Sequence, residues 1–176
     1  MTKIISIIIF GLLLTNFVFS EDQIKASDFK LSSGDHKTIT LSELKTKLIL
    51  CFYETKDTSD KNKDLKKELQ DYYNGMDNSY QKTIFVLAVA DCSQAFWPFT
   101  SIWEGALIDR TKQIGFTLYG DWNGKMREDY HFIKDEANFA IIDTKGIVRY
   151  KISGKVKPDE IINIKNIIIA LLKESE

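Results

Sequence analysis

The chain has 176 residues, 44% of them hydrophobic and 28% charged, and its 24 basic and 25 acidic side chains give a formal net charge of −1. This length suits a single domain that buries a core without cross-links, and two cysteines are too few for a disulfide framework. The near-neutral charge argues against nucleic-acid binding and against electrostatic adsorption to membranes.

The first residues have the pattern of a secretory signal. Lys3 supplies a positive start, residues 4–19 are mostly apolar, and the small Ser20 precedes Glu21. The alternative is an uncleaved membrane anchor. That alternative is disfavoured because the apolar run is shorter than the roughly 20 residues that a spanning helix needs, and no basic cluster follows it.

The sequence therefore predicts a signal peptide over 1–20 and one domain over 21–176. Cleavage removes Lys3 and no acidic residue, which changes the formal net charge from −1 to −2. We expect the mature protein to be periplasmic or secreted, with no membrane insertion after cleavage.

Hydrophobic patterning predicts alternating strands and helices. A short extended piece over 29–32 and a short helix near 41–45 come first. The runs 48–53 and 84–90 are continuously apolar, which is typical of strands covered on both faces. A helix between them implies a right-handed parallel βαβ unit. One face of that helix carries apolar side chains at helical spacing, namely Leu65, Leu69, Tyr72, Tyr73 and Met76.

The second half of the chain predicts another helix, a hairpin and a closing helix. The first of these helices is expected to start at Pro98 and stop at Gly115. Segments 139–142 and 147–152 flank a turn that ends in Gly146, where a positive φ is expected, and the closing helix covers 159–172. The expected buried face of the first helix is Phe99, Ile102, Trp103, Ala106 and Leu107.

This order of elements resembles a known superfamily. The order β-α-β-α-β-β-α after an N-terminal extension, with Phe-Ala-Ile-Ile-Asp-Thr-Lys-Gly over 139–146, resembles the periplasmic thioredoxin-like proteins of the cytochrome-maturation type and the peroxiredoxins, together the redoxins. The resemblance covers residue 29 to the C-terminus. It implies an α/β, thioredoxin-like fold: a central mixed sheet flanked by helices, with an N-terminal β extension. It also implies that the strand over 48–53 leads into the active-site corner.

The active-site corner departs from the superfamily pattern. Where thioredoxins have Cys-x-x-Cys, this chain has Asp57-Thr58-Ser59-Asp60. On peroxiredoxin spacing Thr58 matches that family's active-site threonine, but Lys61 occupies the position of the peroxidatic cysteine. The arginine that peroxiredoxins have before the strand within 137–143 is missing too. The resemblance therefore implies a degenerate active site.

The loop that carries a cis-proline in these families has Ala137 instead. The two prolines of the chain, Pro98 and Pro158, lie elsewhere. Because a cis bond before a non-proline residue costs about 2.5–4 kcal/mol, we expect the bond before Ala137 to be trans.

The types of residue in the corner agree with a degenerate active site. Thr58 and Ser59 have no histidine base nearby in the sequence, so no nucleophile is activated. Asp57, Asp60 and Asp64 weakly suggest a calcium loop, but its glycine and terminal glutamate are absent. The favoured interpretation is helix capping by Asp57 or Ser59.

The two cysteines have different expected environments. Cys51 lies mid-strand and is expected to be a small buried hydrophobe. Cys92 follows the second apolar strand at the carboxyl edge of the sheet, where an exposed thiol could react. The negative charge of Asp91 should raise the pKa of Cys92, and no basic residue occurs over 91–101. A disulfide between the two is disfavoured by their positions.

Aromatic residues cluster around the second predicted helix. Phe99 and Trp103 are assigned to the core, whereas Trp97 and Trp122 are candidates for a protein interface if both are exposed near the same sheet edge. His36 and His131 are isolated, so we expect no metal site and no cofactor.

The favoured function is an exported, non-catalytic thioredoxin-like module that binds an unknown protein of the cell envelope. The alternative is a thiol-based redox enzyme, acting on disulfides or peroxide through Cys92. A chaperone for metal or cofactor delivery is disfavoured because the chain has no thiol pair and no histidine cluster.

Overall fold

A computed structural model of the chain describes residues 24–175 and forms a seven-stranded mixed sheet in the order β2-β1-β5-β4-β3-β6-β7. The strands are β1 (Lys30–Ser33), β2 (Thr38–Thr40), β3 (Leu48–Glu54), β4 (Ile84–Asp91), β5 (Leu118–Asp121), β6 (Asn138–Ile142) and β7 (Val148–Ser153). The helices are α1 (Lys63–Asn74), α2 (Asn78–Thr83), α3 (Thr100–Ile114), α4 (Lys125–Asp129) and α5 (Pro158–Glu174), and a short 3-10 helix covers Leu41–Leu44. The predicted signal peptide lies outside the described residues.

Strand β3 lies inside the sheet between β4 and β6 and is buried along its whole length. It pairs in parallel with β4, from Leu48 opposite Ile84 to Glu54 opposite Ala90, which confirms the predicted βαβ unit. On its other side β3 pairs antiparallel with β6. The hairpin of β6 and β7 turns at Gly146, whose φ of 77° confirms the predicted glycine turn.

A hydrophobic core lies on each face of the sheet, because successive side chains of a strand point to opposite faces. Leu48, Leu50 and Phe52 face α1 and α5. The predicted stripe of α1 packs into this core, with Leu65 and Leu69 buried and Tyr72, Tyr73 and Met76 partly buried. Ile49, Cys51 and Tyr53 face the second core, which the N-terminal segment, the 3-10 helix and α4 help to cover.

Several features differ from the sequence prediction. Elements β2, α2, α4 and β5 were not predicted. Strand β5 pairs with β4 and with β1, so it joins the N-terminal hairpin to the sheet. Helix α3 begins at Thr100 rather than at Pro98, although it stops at Gly115 as expected. Only Leu107 of its expected face is buried; Trp103 is partly buried, and Phe99, Ile102 and Ala106 are exposed.

No helix within residues 24–175 is long and apolar enough to cross a membrane.

Candidate functional site at the carboxyl edge of the sheet

The corner after β3 is a series of turns, and the helix starts later than its sequence suggested. The main-chain N–H of Thr55 donates to the hydroxyl of the buried Thr58 at 2.9 Å, which closes the first turn. Helix α1 then begins at Lys63. The expected capping is therefore wrong: the Ser59 hydroxyl donates to the carbonyl of Lys56 at 2.9 Å, and Asp57 is exposed.

Lys61 is tied to the loop that precedes β6. Its Nζ lies 2.7 Å from Oε2 of Glu136, the residue before Ala137. The hydrogen bond from Lys61 lowers the pKa of Glu136. An ion pair therefore joins Lys61 of the corner after β3 to Glu136 of the loop before β6. Among the described residues the cis peptide bond is Trp97–Pro98, so the bond before Ala137 is trans, as predicted.

Two buried asparagines fix this corner to its surroundings. Asn62 donates to the carbonyl of Gly154 at 2.9 Å and accepts from the N–H of Val156 at 2.8 Å. Asn138 donates to the carbonyls of Ile133 and Glu136, both at 3.0 Å. Each buried amide pairs with main-chain groups of a neighbouring loop, so the corner and the loop before β6 are hydrogen-bonded to their surroundings.

Glu54 ends β3 with a buried carboxylate that is only half paired. Its Oε2 accepts from Nζ of Lys66 at 2.6 Å, and the same Nζ donates to the carbonyl of Ser59 at 2.6 Å. Its Oε1 is buried and has no hydrogen-bond partner among residues 24–175. Burial raises the pKa of Glu54, and Lys66 opposes that shift. Sequence reasoning missed this pair; its signal was an acidic residue directly after an apolar strand run.

A second buried polar cluster lies at the ends of β4 and β5. Arg127 of α4 forms an ion pair with Asp91 at 2.8 Å and also donates to the hydroxyl of Ser93 at 3.0 Å. Burial alone would raise the pKa of Asp91, but the hydrogen bonds from Ser93 and Arg127 outweigh it and lower the pKa. Asp121 accepts from the Tyr53 hydroxyl at 3.0 Å and from the N–H of Arg127 at 3.1 Å. Internal partners thus satisfy both carboxylates.

Neither cysteine thiol reaches solvent. Cys51 and Cys92 are free, and both have an exposed fraction of 0%. Burial, and then Asp91 and Asp121, raise the pKa of Cys92 to about 12. Burial followed by Glu54 raises the pKa of Cys51. At neutral pH both thiols are protonated, and the thiolate is the nucleophile in thiol chemistry.

Trp122 packs against Gly120 of β5 and is only partly exposed. Its indole N–H donates to the carbonyl of Ser32 at 3.0 Å. A Cβ on Gly120 would lie 2.8 Å from the indole nitrogen and 3.1 Å from the Cys92 sulfur. The glycine thus lets the ring and the thiol pack on the same strand, and Trp122 is only partly exposed.

Trp97 is 87% exposed and lies in a group of exposed apolar residues, whereas Trp122 is only partly exposed, so the condition set for a shared interface, that both be exposed, is not met. We call this group the apolar patch; it comprises Phe96, Trp97, Phe99 and Ile102. Within residues 24–175, no three His, Cys, Asp or Glu side chains are arranged to hold a metal ion.

The fold resembles solved thioredoxin-like structures at low sequence identity. A candidate thiol:disulfide interchange protein DsbE from Chlorobium tepidum is 19% identical with a TM-score of 0.61, covering 85% of this chain and 96% of that one. The exposed lipoprotein thioredoxin of Streptococcus pneumoniae is 20% identical with a TM-score of 0.55, covering 80% and 98%. The reduced 2-Cys peroxiredoxin of Plasmodium vivax is 16% identical with a TM-score of 0.54, covering 83% and 94%.

These structural likenesses establish a thioredoxin-like fold. No curated protein matches the sequence. The AhpC/TSA family matches residues 23–151, which is most of the described chain. The chain belongs to the AhpC/TSA family, the redoxin assignment that its order of elements predicted.

Proposed function

We propose that this chain is an exported, non-catalytic member of its family that acts in the cell envelope by binding another protein. The observation that carries the proposal is the Lys61–Glu136 ion pair, which fills the corner where the family's nucleophile would stand. A lysine paired with a carboxylate provides neither a thiolate nor an activated hydroxyl.

The burial of both thiols supports the same proposal. A redox cysteine needs access to its substrate and a depressed pKa. Cys92 has neither, since it is fully buried and its pKa is raised to about 12.

A thiol-based redox enzyme is the second candidate, and family membership favours it. The thiol it would use is Cys92, at the carboxyl edge of the sheet beside Asp91. That enzyme would require Cys92, which is fully buried, to become accessible to its substrate.

Thiol labelling of the native protein, together with insulin-reduction and peroxide-consumption assays, separates the two candidates. The non-catalytic module should leave both thiols unlabelled until denaturant is added, and its turnover should equal that of a Cys51→Ser/Cys92→Ser variant. Turnover that disappears in Cys92→Ser would establish the enzyme. Turnover that disappears only in Cys51→Ser would also reject the non-catalytic module.

Export is supported by the signal pattern at Lys3 and residues 4–19. The name of the pneumococcal neighbour, an exposed lipoprotein, is compatible with a site of action outside the cytoplasm. Mass measurement of the native protein should give a chain that begins at or near Glu21, and an intact N-terminus would reject the export proposal.

A further inference from the structure

Strand β7 is an edge of the sheet, since β6 is its neighbour on one side and no strand within residues 24–175 lies on the other. The N–H of Gly154, directly after β7, donates to the carbonyl of Ala137 at 2.8 Å, on the β6 side. Main-chain groups of successive residues in a strand point alternately to its two sides, so those of Lys151 and Ser153 point away from β6. The outer side of β7 therefore offers main-chain donors and acceptors to another strand.

The start of this edge already pairs with an added segment of chain. Lys25 and Ile147 form an antiparallel bridge, and the N–H of Val148 donates to the carbonyl of Ile24 at 2.8 Å. Within residues 24–175 no segment continues this pairing beyond Val148. The rest of the edge therefore has the geometry for strand addition.

A groove of about 450 Å³ lies beside the same stretch of β7. Residues 148–151 form one wall, and the segment before β1 and the turn after α4, including Tyr130 and His131, form the others. Nζ of Lys151 donates to the carbonyl of Tyr130 at 3.0 Å across this groove. Because successive side chains of a strand alternate between its faces, a strand added to the edge would place every second side chain over the groove.

The segment around β7 is strongly basic. Residues 144–158 contain no acidic side chain and five basic ones, namely Lys145, Arg149, Lys151, Lys155 and Lys157. Arg149 is paired with Asp143 and Glu174, but none of the four lysines forms an ion pair within residues 24–175. The edge therefore favours an acidic strand, and it disfavours a second copy of itself, which would carry the same charges.

We propose that the outer edge of β7 is a docking site for an extended, acidic segment of the partner protein, which adds to the sheet as a further strand. Main-chain hydrogen bonds to Lys151 and Ser153 would hold the segment, and its acidic side chains would pair with the lysines around the edge. This inference rests on the proposed protein-binding role and specifies the surface and the chemistry of the partner.

A fluorescent peptide of alternating glutamate and valine residues, titrated with the mature protein, tests the proposal. The peptide should bind, and its affinity should fall as the salt concentration rises, because salt screens the charge pairs. The same peptide with lysine in place of glutamate should bind at least about tenfold more weakly. Equal binding of the two peptides, or binding of neither, would overturn the proposal.

Two charge-reversal variants locate the binding site. Lys151→Glu should raise the dissociation constant of the glutamate peptide by about tenfold or more. Lys82→Glu is the matched control, because it makes the same charge change at an exposed position of α2, which contacts β4 and is separated from β7 by β3 and β6. It should leave the constant within about twofold. Equal effects would mean that net charge alone attracts the peptide, and would overturn the proposal.

A membrane surface is the competing partner for a basic edge. Vesicles that contain phosphatidylglycerol are the probe for it. A protein that ignores the glutamate peptide but sediments with these vesicles, and loses that property in Lys151→Glu, would overturn the proposal of a protein partner.

Hydrogen exchange at single amides of the unsubstituted protein separates strand addition from charge attraction. With the glutamate peptide bound, the amides of Lys151 and Ser153 should exchange at least about tenfold more slowly, whereas that of Ile152, which points to β6, should not change. Binding without slower exchange at Lys151 and Ser153 would overturn the proposal. Turnover through Cys92 would instead reject the non-catalytic role and leave these binding results unaffected, so the two failures are distinguishable.

Discussion

Glu54 illustrates how one residue at the corner is constrained by its surroundings. Its carboxylate is taken out of water at the end of β3, yet only one of its oxygens has a partner, Nζ of Lys66. Burial with incomplete pairing destabilises the ionised carboxylate. The pKa of Glu54 is therefore raised despite the nearby ammonium group of Lys66.

The first prediction concerns the pH dependence of stability. A carboxyl whose folded pKa exceeds its unfolded value binds its proton more tightly in the folded state. The unfolding free energy of the wild type minus that of Glu54→Gln should therefore fall as pH rises from about 4.5 through the folded pKa. Urea denaturation at a series of pH values measures this difference.

Asp91 provides a control of opposite sign. Its folded pKa is lowered, so its contribution is complete above the ordinary value of 3.8 and is lost as pH falls through the folded pKa. The difference between the wild type and Asp91→Asn should thus rise with pH in that acidic window. Slopes of the same sign for the two variants would contradict this account of both carboxyls.

At the scale of elements, strand β4 has a buried residue directly next to an exposed one. Leu87 is completely buried in the same core as Cys51 of β3. The neighbouring Val86 is 39% exposed. Removal of buried methyl groups costs both transfer free energy and the cavity that remains, and an exposed valine loses little of either.

Leu87→Ala should therefore lower the free energy of unfolding by about 2–5 kcal/mol. Val86→Ala, in the same strand, is the control and should have a clearly smaller effect. Chemical denaturation of both variants measures the two losses. Equal losses would mean that β4 is not covered as the structure describes.

The elements that could be predicted from sequence are those with a strong local pattern. Strands β3 and β4 are continuous apolar runs, and α1 has a clear apolar stripe, so all three were found. Strand β5 is four residues, Leu-Tyr-Gly-Asp, too short and mixed to show a period. Three of the five residues of the expected face of α3 are exposed, because apolar spacing does not say what covers a helix.

Some features of the candidate site can likewise be read from single positions, whereas others depend on residues that are far apart in the chain. That position 61 carries a lysine, which has no thiol, was visible from residue identity alone. Its partner Glu136 lies 75 positions away, and Arg127 lies 36 positions from Asp91. Such pairs depend on tertiary packing, which a single sequence does not encode in any local pattern.

At the scale of the whole molecule, the ion pair links two regions that are distant in the chain. Lys61 precedes α1, while Glu136 precedes β6, and Asn62 and Asn138 anchor the same two segments from neighbouring positions. The fold thus brings the corner after β3 and the loop before β6 together, and the Lys61–Glu136 ion pair joins them.

The last prediction restores a thiol at this meeting point. Because the Lys61 side chain is 39% exposed, Lys61→Cys should be labelled by a thiol reagent in the native protein, while the wild type is not. The adjacent carboxylate of Glu136 should keep the new thiol protonated, so peroxide consumption should stay at the level of the wild type. In Lys61→Cys/Glu136→Lys the neighbouring charge is reversed, and the pH midpoint of labelling should fall by about one unit or more. The pH dependence of the labelling rate measures this shift. Identical midpoints in the two variants would mean that Glu136 does not control the charge at the corner.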